Sequence, residues 1–283
     1  FYQKWLSFQL LWWLTFKLPY TLGYVFLGFI ILVIIGWTLF NTPKTTGEWL
    51  EMLFFLFPLG LVFAIIFSSR SHYNKVKDID FPNSKQRLLD LNHVVIKKDV
   101  GFTPRLLFFE KDGNFIGIMK PLEIPWWMFP FRIFNESLHE LFPLTYGFIS
   151  HDEETQFTFR KTGWLKQVKL TIFDRENQDI GTYIQEELKA LFRIKGKLYN
   201  EKDEEVLSIE ASGFSGDFRW KDEEGKQWAY FYNGKFPHEY KNIFRDTHND
   251  IVELSDTLSK QDKVRLLAVI GYLFMARVNS KAQ

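Results

Sequence analysis

Ser259–Gln283 reads SKQDKVRLLAVIGYLFMARVNSKAQ. Ser259 is placed as an N-cap, and Asp262 falls in the first turn, where a carboxylate complements exposed backbone N–H groups. From Leu266 to Ala276 there are eleven uncharged residues, apolar on every side of a helix. Eleven residues rise only ~17 Å, well short of the ~30 Å hydrocarbon layer of a bilayer. A helix that is apolar all round and too short to span must be wrapped in protein. The helix expected over 260–278 is therefore a core element.

The wrapping is written upstream as strand–turn–strand units. RLLFFE-KDGN-FIGIMK (105–120) is followed by VKLTIF-DRENQ-DIGTYIQ (168–185), FRIKGKLY-NEKDE-EVLSIEA (192–211) and GDFRW-KDEEGK-QWAYFYNG (216–234). Each pairs two β-rich runs across a charged, polar turn, the signature of a hairpin. Pro is absent from the last three, as central strands require. Many hairpins followed by one apolar helix give an α+β fold: a closed β-barrel over 93–283 with the helix through its middle.

These repeated strand–acidic-turn–strand units, ending in the helix KQDKVRLLAVIGYLFMA (260–276), resemble the tubby C-terminal-like superfamily, which includes LURP-one-related proteins and phospholipid scramblases. The resemblance covers roughly residues 94–280 and is one of pattern. It implies a twelve-stranded barrel around a helix and a role at membranes. The basic positions with which tubby proteins hold phosphoinositides have no counterpart in this sequence, so no binding residue is carried over.

The first seventy residues are of another kind. Leu18–Phe40 is a run of 23 residues without a charge, and Met52–Ser69 is a second of 18. Both are long enough to cross a bilayer, giving expected spans at 18–40 and 50–69 with a kink at Pro58. Residues 1–17, FYQKWLSFQLLWWLTFK, suit an interfacial segment rich in tryptophan. Arg70, Lys75, Lys77, Lys85 and Arg87 follow the second run, whereas the inter-span loop offers Lys44 alone. A basic linker over 70–92 places both termini on the cytoplasmic side of the cell membrane.

Composition limits the function further. The chain has 35 basic and 34 acidic residues, against a general nucleic-acid partner, and no cysteine, so disulfides and thiolate chemistry are excluded. His139-Glu140 and His238-Glu239 begin like zinc-protease motifs, but no second histidine follows at the helical interval. Asp246-Thr-His248-Asn-Asp250 reads as a helix start with capping residues, and His151-Asp152-Glu153-Glu154 as a solvated turn. Gly213 and Gly216 lack the Gly-Lys-Ser/Thr continuation of a phosphate loop. No cofactor, metal site or catalytic set is expected.

Two features fit a lipid surface. Pro-broken residues 121–148 hold an aromatic knot of Trp126, Trp127, Phe129 and Phe131, suited to the membrane interface or to covering a barrel edge. RKTGWLKQVK (160–169) sets Arg160, Lys161, Lys166 and Lys169 around Trp164, and with Arg70, Lys75 and Lys77 these side chains can face anionic headgroups. The expected function is a non-enzymatic, membrane-anchored cytoplasmic module that recognises anionic lipid or a membrane partner. The alternatives are scramblase-like lipid translocation, or an accessory or immunity subunit of another membrane complex; a homo-oligomer is compatible with each.

Overall fold

The computed structural model describes residues 18–42, 44–50, 82–98, 105–122, 142–163, 167–186, 194–211, 218–234 and 249–280, with short stretches between 57 and 71. The chain divides into two compact units, Phe1–Asp80 and Phe81–Gln283.

In the first unit, helix α1 spans Leu18–Phe40. Its 23 residues contain no charge to be buried and none in either end turn, and its large apolar side chains are exposed, among them Val25, Leu32 and Phe40. Among the described residues it is the one helix long and apolar enough to cross a membrane. The second expected span and Pro58 lie mostly outside the described residues. What is described between 46 and 71 is helical. That stretch begins with a capping pair missed in the sequence: Glu48 N–H donates to Thr45 Oγ1 at 3.4 Å, and Lys44 N–H donates to Glu48 Oε2 at 2.7 Å. Ile66 is buried beside Gly23, where an added Cβ would lie 2.6 Å from its Cγ1.

The second unit is a nearly closed, twelve-stranded antiparallel barrel around a C-terminal helix. Its strands are β1 (His93–Lys98), β2 (Leu106–Phe109), β3 (Phe115–Pro121), β4 (Leu144–Ser150), β5 (Thr155–Thr162), β6 (Val168–Phe173), β7 (Asp179–Glu186), β8 (Ile194–Asn200), β9 (Glu205–Ala211), β10 (Phe218–Lys221), β11 (Gln227–Gly234) and β12 (Asn249–Leu254); α2 is Lys260–Ser280. The order β10-β11-β12-β1-β2 and onward to β9 joins the last strand to the first, leaving the seam between β9 and β10. Trp220 of β10 closes it with a side chain, its Nε1–H donating to the Glu210 carbonyl of β9 at 3.2 Å. The helix that the capping pattern suggests is not found from Asn249 onward; residues 246–248 lie outside the described residues. Asn249–Leu254 is β12, whose β-branched Ile251 and Val252 pair with Val95 and Val94 of β1.

Width explains composition. Twelve strands ~4.8 Å apart and tilted in a closed sheet give a radius of about 12 Å, room for a helix 10–12 Å wide only if large side chains fill the gap. The inner face accordingly carries aromatic pairs across strands: Phe108–Phe148 at 5.1 Å, Phe148–Phe157 at 5.6 Å and Tyr146–Phe159 at 5.1 Å between ring centroids. Leu266 through Ile270 and Leu273 of α2 are completely buried. Met119 of β3 lies where a side chain at Gly271 would be, 2.0 Å from an added Cβ. Among the described residues the interior is a packed core that runs from the strands onto the helix.

The two ends of the barrel differ. At one end, β2–β3, β4–β5, β6–β7, β8–β9 and β10–β11 are joined by the same turn, and the backbone hydrogen bonds repeat at 110–114, 150–154, 174–178, 200–204 and 222–226. Its fourth residue is always left-handed, with φ between +59° and +89° at Gly113, Glu153, Asn177, Asp203 and Gly225. This is a type I turn closed by a bulge, a common three-residue hairpin connection. The remaining strand-to-strand connections, which include 99–104, 123–141, 187–193 and 235–248, all leave the opposite end. Helix α2 enters at the tight-turn end. Ser259 Oγ accepts the Asp262 N–H at 3.0 Å and donates to its carboxylate at 2.6 Å, the expected cap. Residues 82–92, read as part of a linker, belong to the barrel unit: Ser84 N–H donates to the Phe115 carbonyl at 2.8 Å and Leu88 is buried.

Candidate membrane-contacting surface

Register separates the inner and outer faces of β5 and β6. Phe159 pairs with Ile172 and Lys161 with Leu170, and these belong to the inner row; Arg160 pairs with Thr171 and Thr162 with Lys169, and these belong to the outer row. Arg160 and Lys169 are both exposed. They are diagonal neighbours on adjacent strands, a relation that sets α-carbons roughly 7–8 Å apart. Neither has an ion-pair partner among the described residues, so a two-cation patch stands open at the long-connection end of the barrel.

Lys161 does not join that patch. Period-2 alternation turns it to the opposite face, where it is 3% exposed. A group buried beside Leu144 and Leu170 is out of reach of a headgroup on the outer surface. It shares the inner face with Tyr183 and Gln185 of β7. The Tyr183 hydroxyl and Gln185 Oε1 are buried without a hydrogen-bond partner among the described residues, and burial pushes the Tyr183 pKa upward.

Three other barrel cations are matched by neighbours. Lys195 pairs with Glu210 and Lys197 with Glu205, each at 2.7 Å, and the Arg219 guanidinium lies 4.8 Å from the Tyr230 ring centroid. Lys120 is half-buried, which lowers its pKa; the charge of Arg105 adds to the shift and that of Glu153 opposes it. In the first unit, Arg70 is exposed and its Nη1 donates to the Tyr24 hydroxyl at 3.4 Å. Lys75, Lys77, Trp126, Trp127, Phe129, Phe131, Trp164 and Lys166 lie outside the described residues. Of the twelve expected contact residues, the fold brings together Arg160 and Lys169.

The tight-turn end holds features that sequence reasoning missed. Arg265 of α2, 5% exposed at its side chain, donates from Nε to the Ile180 carbonyl at 2.5 Å and pairs with Glu201 and Asp262. Lys263 Nζ donates to the Leu89 carbonyl at 3.0 Å and to Asn92 Oδ1 at 2.9 Å. The two buried cations tie the helix to the barrel mouth. Beside them opens a cleft of about 240 Å³ with Ile180 and Val264 as its floor and Arg87, Asp90, Glu176 and Lys260 on its lip. No group of three or more metal-ligating side chains is present among the described residues.

The barrel with its C-terminal helix is compatible with a tubby-like fold. No family model, curated protein or solved structure matches the chain.

Proposed function

We propose that the chain is a membrane-anchored, tubby-like module that recognises anionic lipid headgroups through the outer surface of its barrel near Arg160 and Lys169. The observation that carries this reading is the joining of two units in one chain. One offers α1, uncharged and apolar outward; the other has an inside already filled by α2, which leaves its chemistry on the surface. Tethering next to a bilayer raises the local concentration of lipid, so contacts worth ~1 kcal/mol per basic residue are enough to hold one face down.

The anchor is proposed as two spans, 18–40 and 50–69, with both ends of the chain cytoplasmic. In support, five of the six partly covered residues of α1, Gly23, Leu27, Ile30, Ile34 and Thr38, recur as one helical stripe, with Gly36 outside it. Gly23 meets Ile66 and Tyr24 meets Arg70 at one end of that stripe, as an antiparallel return of the chain requires.

The test uses residues 81–283, the unit with its own core. Floated with phosphatidylcholine vesicles with and without phosphatidylglycerol, it is expected to prefer the anionic set. The preference should fade between ~0.1 M and ~1 M salt, as the screening length shrinks from ~10 to ~3 Å. Equal recovery with both sets, from a fragment that still melts cooperatively, overturns lipid recognition and leaves a protein partner as the reading.

A further inference from the structure

The five tight turns share more than geometry. Residues 84–92, 110–114, 150–154, 174–179, 200–205, 222–226 and 255–265 form the tight-turn rim, and they hold eighteen acidic and nine basic side chains, net −9. The remainder of the 81–283 unit holds twelve acidic and twenty basic side chains, net +8. The unit as a whole is therefore near neutral, with its acidic surplus gathered on the tight-turn rim, while the described side chains outside the rim are ten basic and three acidic. The rim carries its charge outward: Asp112, Glu176, Glu223 and Glu224 are all exposed. At the other end stand Arg160 and Lys169, exposed and without an ion-pair partner among the described residues.

The chain joins the barrel at the acidic end, through Pro82–Asn92. Covalent attachment does not fix which end meets the bilayer, however. The ten residues between Ser71 and Pro82 reach about 35 Å when extended, more than the ~20 Å height of seven-residue strands tilted in a barrel. Either end is within reach, and the charge decides. An anionic leaflet attracts basic groups and repels acidic ones within a screening length of its surface.

Resting on the lipid reading above, we infer that the barrel is turned by its own charge: the long-connection end faces an anionic leaflet and the acidic rim of tight turns is held away. The rim is thus an orienting device that keeps the cleft beside Arg87 and Glu176 open to the cytoplasm. Neutral lipid gives the barrel no preferred direction by this mechanism, so lipid composition sets its posture.

The absence of cysteine makes the test clean in the full chain. Gln167→Cys, exposed beside Lys169, and Glu223→Cys, on a tight turn, are each labelled with a fluorophore and reconstituted in nanodiscs containing a quencher on the lipid headgroup. On adding phosphatidylserine to phosphatidylcholine discs, quenching at position 167 should rise about threefold or more and fall back in ~1 M salt, while position 223 stays unquenched. Adding D112N, E176Q and E224Q, which lowers the rim charge, should narrow the difference between the two positions. If both positions respond alike, or 223 responds more, lipid is recognised but the orientation is overturned. If neither responds to phosphatidylserine, the lipid reading falls and this inference falls with it.

Discussion

At Tyr183 the barrel wall and its filling meet in one side chain. An added Cβ at Gly196, across the β7–β8 ladder, would come within 2.4 Å of the Tyr183 hydroxyl. The ring therefore occupies the space that a side chain at 196 would take, and glycine is required there. The hydroxyl has no hydrogen-bond partner among the described residues, and burial raises its pKa because a phenolate in that site would lose its hydration. The native state thus keeps a proton that the unfolded chain releases near pH 10. Folding stability is unaffected by this group below pH 10 and declines as pH rises beyond it. Tyr183→Phe is expected to be as stable as the native protein at pH 7, or more so by up to ~2 kcal/mol, since it deletes an unpaired buried hydroxyl. It should also lose less stability in urea melts above pH 10. A variant weaker by more than ~1 kcal/mol would mean that the hydroxyl has a partner.

The hairpin is the element this fold repeats, and its turn is specified by backbone more than by side chain. Four of the five were legible in the sequence because each sets charged and turn-forming residues between two β-rich runs. At 150–154 the turn was read correctly but not its place in a hairpin, because its fourth residue is Glu153, without the Gly, Asn or Asp that advertises a left-handed position. That oddity is measurable. Glu153 adopts φ +66° and Gly225 adopts φ +81° at equivalent points of equivalent turns. A left-handed conformation costs a residue with a Cβ roughly 1–2 kcal/mol. Glu153→Gly should stabilise the barrel by up to about that amount, offset in part by glycine's greater unfolded-state entropy. Gly225→Ala should destabilise it by a similar amount. Nothing lies within 4 Å of a Cβ added at Gly225, so the backbone alone is being read. Chemical denaturation of the two variants gives the comparison, and an unchanged midpoint for Gly225→Ala would contradict the turn assignment.

On the scale of the whole molecule, the sequence conveyed the helix first and the surface last. Leu266–Ala276 announced its burial because it is apolar on all sides and short, and Ser259 and Asp262 announced where it starts. The closing strand β12 was hidden by Asp246, His248 and Asp250, whose capping character masked the β-branched pair Ile251–Val252. The basic stretch 160–169 was visible as composition. Its division into an outward Arg160 and an inward Lys161 depends on strand register, which charge counting does not see. The acidic rim was visible only as separate turns until the barrel gathered them at one end. All of this rests on α2 being the core around which twelve strands close. Residue-resolved hydrogen exchange of the full chain tests that claim most directly. The amides of Leu266–Leu273 should be among the slowest in the protein, opening only with global unfolding and together with those of β5, β6 and β7, against which α2 packs. Exchange of Leu266–Leu273 at the rate of the tight turns, while the strands stay protected, would contradict the account.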